Sequence, residues 1–305
     1  MRTNKPSATA VLIAASLACD FHDPGRCHFV PALAADLGSI FLRSYGPPAN
    51  FFSPFITQRW LRILARALES VTIPGITLHY LLRKRYIEDT IREHLKNGIE
   101  QVIVLGGGFD TLAIRLHTEF PTVNFIELDH PGTQRVKIDA LKGHIAVGEN
   151  LDFIEADFTI YSLEEILLNK SRYDSRKNSL FLCEGVLMYL SELEVGKIFD
   201  FIHEKSGPKS IFLFTFMEKI IDQPINFHNR STLVDFWMKL RKEPFVWGIE
   251  RQELESFLHS IRFSLLSLGD ADVFRDRYLF NGLLKHAPLA TGESIVVARN
   301  VSIDL

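Results

Sequence analysis

Gln101-Val-Ile-Val-Leu-Gly-Gly-Gly-Phe-Asp-Thr111 and, a helix-length further on, Phe125-Ile-Glu-Leu-Asp-His-Pro131 are the stretches whose reading decides the fold. Residues 102–105 form a short, β-branched apolar run that stops at three consecutive glycines. That is the pattern of a buried parallel strand ending in a tight loop. Glycine is needed where the backbone must turn sharply and let a ligand approach without a Cβ in the way. A helix is expected from near Thr111, with its first amides pointing into the loop. A second strand over 123–128 runs into Asp129, about twenty residues past the glycines, where a dinucleotide-binding α/β sheet holds a ribose through its hydroxyls. Strand, glycine loop, helix and acid in this register predict a nucleotide-type cofactor site.

The loop also discriminates between cofactors. Gly106 and Gly108 fit the first two positions of a dinucleotide fingerprint, but the third small position is Thr111, and Asp110 places a negative charge in the loop. A pyrophosphate would be repelled there. S-adenosylmethionine, which has no phosphate and a cationic amino-acid end, would not, and it is the cofactor the loop predicts. An NAD-dependent oxidoreductase is the weaker enzymatic alternative. A non-catalytic cofactor-sensing or partner-binding protein on the same fold is the alternative of a different class.

With 305 residues, the chain accommodates one large α/β domain with an elaboration. The formal net charge of −3 supplies no basic field, so nucleic acid is not an expected partner. The three cysteines, Cys19, Cys27 and Cys183, show neither metal spacing nor an even disulfide framework, which suits a reducing, cytoplasmic setting and predicts no metal site. Cys183 lies in an apolar strand and is expected to be a small core residue. Arg2 and Lys5 followed by an apolar stretch up to Cys19 imitate a short signal peptide. Thr9 and Ser16 interrupt it, however, and Ser-Leu-Ala before Cys19 is a poor lipoprotein cleavage site, so an amphipathic helix is expected instead. No apolar run is long enough to span a membrane.

Residues 1–97 are expected to form a helical cap, with helices over 7–17, 31–44, 54–71 and 78–96, the first ended by Phe21-His22-Asp23-Pro24. In the third, Phe55, Trp60, Leu61, Leu64 and Leu68 recur at helical spacing. Residues 98–305 form the cofactor-binding domain, with strands expected at 101–105, 123–128, 151–154, 179–183, 210–216, 262–268 and 294–299. Ser162-Leu-Glu-Glu165 and Ser191-Glu-Leu-Glu194 have the capping-box form that starts helices. Residues 217–249 are too long for a simple connection and rich in aromatics, basic residues and Asn/His, which suggests a lid insertion. Only loops are expected between the last two strands, so the final strand can return antiparallel.

These motifs carry a resemblance. Leu-Gly-Gly-Gly-Phe-Asp-Thr (105–111), Phe-Ile-Glu-Leu-Asp-His-Pro (125–131), Glu-Ala-Asp-Phe (155–158), Cys-Glu-Gly-Val-Leu-Met-Tyr-Leu (183–190) and Lys-Glu-Pro-Phe-Val-Trp-Gly-Ile (242–249) together resemble the leucine carboxyl methyltransferase family, which includes polyketide O-methyltransferase relatives. The resemblance implies a Rossmann-like class I methyltransferase fold, a seven-stranded, mostly parallel sheet with helices on both faces and the last strand antiparallel. It implies that Gly106 and Gly108 approach the cofactor's amino-acid end and that Asp129 holds the ribose. It further implies that Asp157 contacts the adenine amino group, that Glu184 faces the methionine ammonium, and that Arg83, or Arg85 if the register is shifted by two, pairs with the methionine carboxylate. A zwitterionic tail needs one charge of each sign, and arginine matches a carboxylate with two parallel hydrogen bonds.

The resemblance also frames the reaction, an O-methylation of a carboxylate or a hydroxyl on a small molecule or a protein C-terminus. Tyr189 is the candidate catalytic residue beside the acceptor, and Arg230 and His228 are candidate acceptor anchors. Two departures from the family pattern bear on the substrate. Val11-Leu-Ile-Ala-Ala-Ser lacks the basic residue often found in the first helix, and Asp157 is followed by Phe158-Thr159-Ile160 where protein-methylating members carry an arginine. The second departure points away from a protein C-terminus.

Overall fold

The computed structural model describes residues 8–46, 53–158, 160–232 and 244–301. Up to residue 96 these hold helices and short turns: α1 (Ala8–Phe21), α2 (Ala32–Tyr45), α3 (Arg59–Val71) and α4 (Ile76–Lys96). From 101 onward strands and helices alternate: β1 (Gln101–Leu105), α5 (Leu112–Glu119), β2 (Asn124–Asp129), α6 (Pro131–Leu141), β3 (Leu151–Glu155), α7 (Leu163–Lys170) and β4 (Ser179–Cys183). Then follow α8 (Glu192–Glu204), β5 (Ile211–Met217), α9 (Leu254–Ser260), β6 (Phe263–Gly269), α10 (Ala271–Tyr278) and β7 (Glu293–Asn300). The seven strands lie in the order β3-β2-β1-β4-β5-β7-β6. β2 and β3 pair parallel, as do β4 and β5, while β7 runs antiparallel to both β5 and β6. Every residue of β1, β4 and β5 is buried, which is why these strands are continuous apolar runs rather than alternating ones.

The chain divides into two compact units, one comprising residues 1–67 and 103–173 and the other residues 68–102 and 174–305. In the first, Asp129 pairs with Glu155, which aligns the carboxyl ends of β2 and β3. In the second, a Phe199 ring set edge-on to Phe212, Phe214, Phe257 and Phe263 ties α8 and α9 to the sheet. Both capping boxes form: Ser162 and Glu165 open α7, and Ser191 and Glu194 open α8. Each supplies two of the backbone contacts a helix start lacks.

Three expectations are corrected or refined. The connection between β6 and β7 contains α10, started by Asp270, whose carboxylate accepts from Val273 N. This helix buries one residue, Phe274, so it leaves no apolar periodicity to read. In α3 the apolar residues face outward. Trp60, Leu64 and Leu68 are 53%, 58% and 62% exposed, whereas Glu69 is buried and accepts from Thr77. Within 217–249, residues 233–243 lie outside the described residues. Of the rest, Ile249 N donates to Met217 O at the end of β5, Lys219 N donates to Ile249 O, and Val246 N donates to Met188 O in the turn after β4. Among the described residues no helix is long and apolar enough to cross a membrane.

Candidate functional site

In the first unit the candidate residues gather at the ends of β1, β2 and β3. Gly106 and Gly108 have φ of 72° and 52°, the left-handed region that favours glycine. Gly107 is required for a different reason, since a Cβ there would lie 2.5 Å from Glu127 Cδ. Gly106 N and Gly107 N donate to Leu128 O, fastening the loop to β2. Ala10 of α1 lies against Gly108, its Cβ 3.2 Å from where a Gly108 Cβ would stand.

Asp129 Oδ2 accepts from Gly108 N at 2.5 Å, and Oδ1 accepts from His130 N at 2.6 Å. Each oxygen retains a lone pair for a further donor such as a ribose hydroxyl. Burial raises the Asp129 carboxyl, with the His130 and Gly108 amides opposing. Asp110 Oδ1 accepts from Thr111 N and Leu112 N, so this carboxylate takes the start of α5 where a phosphate would otherwise be bound. Asp157, two residues beyond β3, stands 3.6 Å from His130 Nε2. His130 Nδ1 accepts from Gly132 N at the start of α6, which leaves Nε2 to carry the proton toward Asp157. Below the loop, Lys137 donates to the buried Glu127 at 2.5 Å.

In the second unit Glu184 follows β4 and meets two cations of α4. Its Oε1 accepts from Arg83 Nε at 2.9 Å and from Nη2 at 2.8 Å, and its Oε2 accepts from Lys84 Nζ at 3.1 Å. Arg83 Nη1 donates to both oxygens of Glu293 at 2.7 Å. His79 Nε2 lies 3.1 Å from Glu293 Oε2. Arg83 and Glu293 are each 2% exposed at the side chain, and Arg83 lies over the Tyr80 ring. Although burial opposes ionisation, Arg83 and His79 bring the Glu293 carboxyl down to about 2. Burial pushes the Tyr80 phenol well above its ordinary value.

The structure thus places Arg83 beside Glu184, whereas Arg85 is 43% exposed at the side chain and pairs with Asp89 one turn along. Tyr189 is 38% exposed and meets Phe245 edge-on at 5.4 Å between ring centres. Next to it Met188, Met217, Phe227 and Ala290 form a buried apolar cluster, with Ile73, Tyr80 and Phe245 packed against it. Arg230 Nη1 donates to Phe227 O, and His228 Nε2 lies 3.1 Å from Glu218 O. Cys183 is fully buried, and burial pushes its thiol upward, as befits a core residue. Among the described residues no group of three or more histidine, cysteine or acidic side chains could hold a metal. Sequence reasoning missed His79, Lys84, Glu293 and the Glu127–Lys137 pair. The one available hint was His79 and Arg83 one helical turn apart on α4.

A model of the leucine carboxyl methyltransferase family matches residues 22–203, more than half of the chain. The chain belongs to that family. As a member it is an S-adenosylmethionine-dependent methyltransferase. A Bacillus subtilis (strain 168) protein named "Putative S-adenosyl-L-methionine-dependent methyltransferase YktD" is 25% identical over 234 residues, covering 76% of each chain. A Mycobacteroides abscessus protein named in the same class is 26% identical over 206 residues, covering 67% of this chain and 64% of its own. Among solved structures, "a putative methyltransferase from Thermobifida fusca YX" superposes with a TM-score of 0.57 at 14% identity, covering 87% of this chain and 94% of that one. A DUF574 family protein from Streptomyces avermitilis gives 0.55 at 12% identity, covering 94% and 97%. At these identities the structures speak for the fold alone, a Rossmann-like class I methyltransferase sheet.

Proposed function

We propose that this family member is an O-methyltransferase whose acceptor is a carboxylate on a small apolar molecule. When bound, S-adenosylmethionine supplies a sulfonium methyl group for in-line transfer. The residues fit this group. Asp110 fills the start of α5, where a dinucleotide would need room for phosphate. Asp129 offers two oxygens to the ribose hydroxyls, and Asp157, oriented by His130, is the acceptor for the adenine amino group. Glu184 is the counter-charge for the ammonium. Arg83 spends most of its five N–H groups on Glu184 and Glu293, keeping one on Nη2 for the methionine carboxylate. Gly106 and Gly108 leave the loop open to the same end of the ligand.

One observation carries the choice of acceptor. The ionisable groups around Glu184 are committed to one another: Arg83 to two glutamates, Lys84 to Glu184 and His79 to Glu293. The Tyr80 phenol is held protonated by burial. A neutral hydroxyl needs a base within hydrogen-bond reach, whereas a carboxylic acid with an ordinary pKa of about 4 arrives already ionised. The apolar cluster beside Tyr189 favours an acid with an apolar body and gives Tyr189 a packing role against it.

The test is to incubate the enzyme with methyl-labelled cofactor and a panel of apolar carboxylic acids, then to treat the product with mild alkali and collect volatile methanol. Alkali-labile label, formed at a rate that changes little between about pH 6 and 8, is expected. Alkali-stable label would reject the carboxylate acceptor, and label on nitrogen would reject O-methylation altogether.

A further inference from the structure

The buried pair formed by Glu293 and His79 has no contact with cofactor or acceptor in the reaction proposed above, yet it occupies the far side of Arg83. Glu293 is the first residue of β7, opposite Met217 of β5, and lies 210 residues from Arg83 in sequence. Both of its oxygens receive Arg83 Nη1 at 2.7 Å, and Oε2 also meets His79 Nε2 at 3.1 Å. The charged groups facing Arg83 are therefore Glu184 from the end of β4 and Glu293 from the start of β7. Lys84 and His79 are the neighbouring groups on α4.

Geometry gives this arrangement a consequence for Glu184. An arginine that meets one carboxylate alone aligns its fork with both oxygens and neutralises it. Here Nη1 is spent on Glu293, Nε and Nη2 both converge on Oε1 of Glu184, and Oε2 of Glu184 meets Lys84, whose side chain is 16% exposed. We propose that Glu293, held by His79, is a positioning residue that divides the charge of Arg83 between two glutamates, leaving Glu184 anionic enough to bind the ammonium of the cofactor's amino-acid end. This inference rests on the assignment of Glu184 to that ammonium.

The experiment compares two ligands, S-adenosylhomocysteine, which carries the amino-acid tail, and 5′-methylthioadenosine, which lacks it. Calorimetry on wild type, Glu293→Gln and Glu293→Asp gives both affinities. Glu293→Gln should lower affinity for S-adenosylhomocysteine about tenfold or more, the size of one charge-assisted contact, while 5′-methylthioadenosine stays within about twofold. Glu293→Asp keeps the charge but draws it back by one methylene, and should give a smaller loss of the same preference. It serves as the readout if the glutamine variant does not fold. Equal losses for the two ligands, or a preference unchanged in the variants, would overturn the inference. Equal wild-type affinity for both ligands would overturn the Glu184 assignment itself and the inference with it.

Discussion

Replacing Lys137 by methionine should destabilise the protein by an amount that grows with pH. The Lys137 and Glu127 side chains are 0% and 1% exposed and 2.5 Å apart, and Glu127 Oε2 has no hydrogen-bond partner. Burial carries the Glu127 carboxyl from its ordinary 4.5 to about 7, against the pull of Lys137. A carboxyl raised in this way takes up a proton on folding, so its contribution to stability is fully present below the unfolded value and is lost as pH rises through the folded one. At 1.36 kcal/mol per unit, about 3 kcal/mol is lost over that window. Above pH 7 the wild-type carboxyl is ionised in both states and the loss levels off. Without the ammonium the folded value moves higher still, and the loss continues at up to about 1.4 kcal/mol per pH unit. Methionine keeps an apolar stem of similar length and removes the ammonium from Glu127 and from the Phe153 ring, 5.7 Å away, and the ring contact is lost equally at every pH compared. Urea unfolding at about pH 6 and 8.5 measures it, and the gap between wild type and variant should be wider by about 2 kcal/mol at the higher pH. A gap independent of pH, or a variant as stable as wild type at pH 8.5, would refute the reasoning.

Three further outcomes follow from the second unit. Glu184→Gln should weaken binding of S-adenosylhomocysteine by roughly 1.5–3 kcal/mol in calorimetry, since it removes a charge-assisted contact. Arg83→Met should cost about 3–5 kcal/mol in urea unfolding because it strands the buried Glu293 beside His79 alone, whereas Arg85→Ala should stay within about 0.5 kcal/mol because its partner Asp89 is met at the surface.

What the sequence disclosed, and what it withheld, divides along physical lines. Strands β1, β4 and β5 were legible because burial on both faces forces continuous apolar runs, and the helix starts at Ser162 and Ser191 because a capping box is a local pattern. The glycine loop and Asp129 were legible because a βα turn followed by an acid at the end of the next strand lies within a short span. Local pattern says nothing about partners far apart in the chain. The His79–Glu293 contact joins residues 214 apart, so neither residue could announce the other. The outward apolar face of α3 was unreadable for the opposite reason. Periodicity reports that a helix has two faces, and the inward one was chosen here by the contacts of Glu69 with Thr77 and of Arg66 with Asp23. Which of Arg83 and Arg85 meets Glu184 was set only by the turn of α4, because both are basic and two positions apart.

The most direct test of the central claim, that the chain binds S-adenosylmethionine through the Gly106–Gly108 loop, is calorimetry with S-adenosylhomocysteine on wild type and Gly108→Val. Gly108 has a φ of 52°, with Asp129 Oδ2 4.0 Å and Ala10 Cβ 3.2 Å from the position of an added Cβ, so a branched side chain strains the backbone and crowds the approach to the loop. Saturable one-to-one binding to wild type and none to the variant is the predicted result. The absence of binding to wild type at millimolar ligand, or undiminished binding to Gly108→Val, would contradict it.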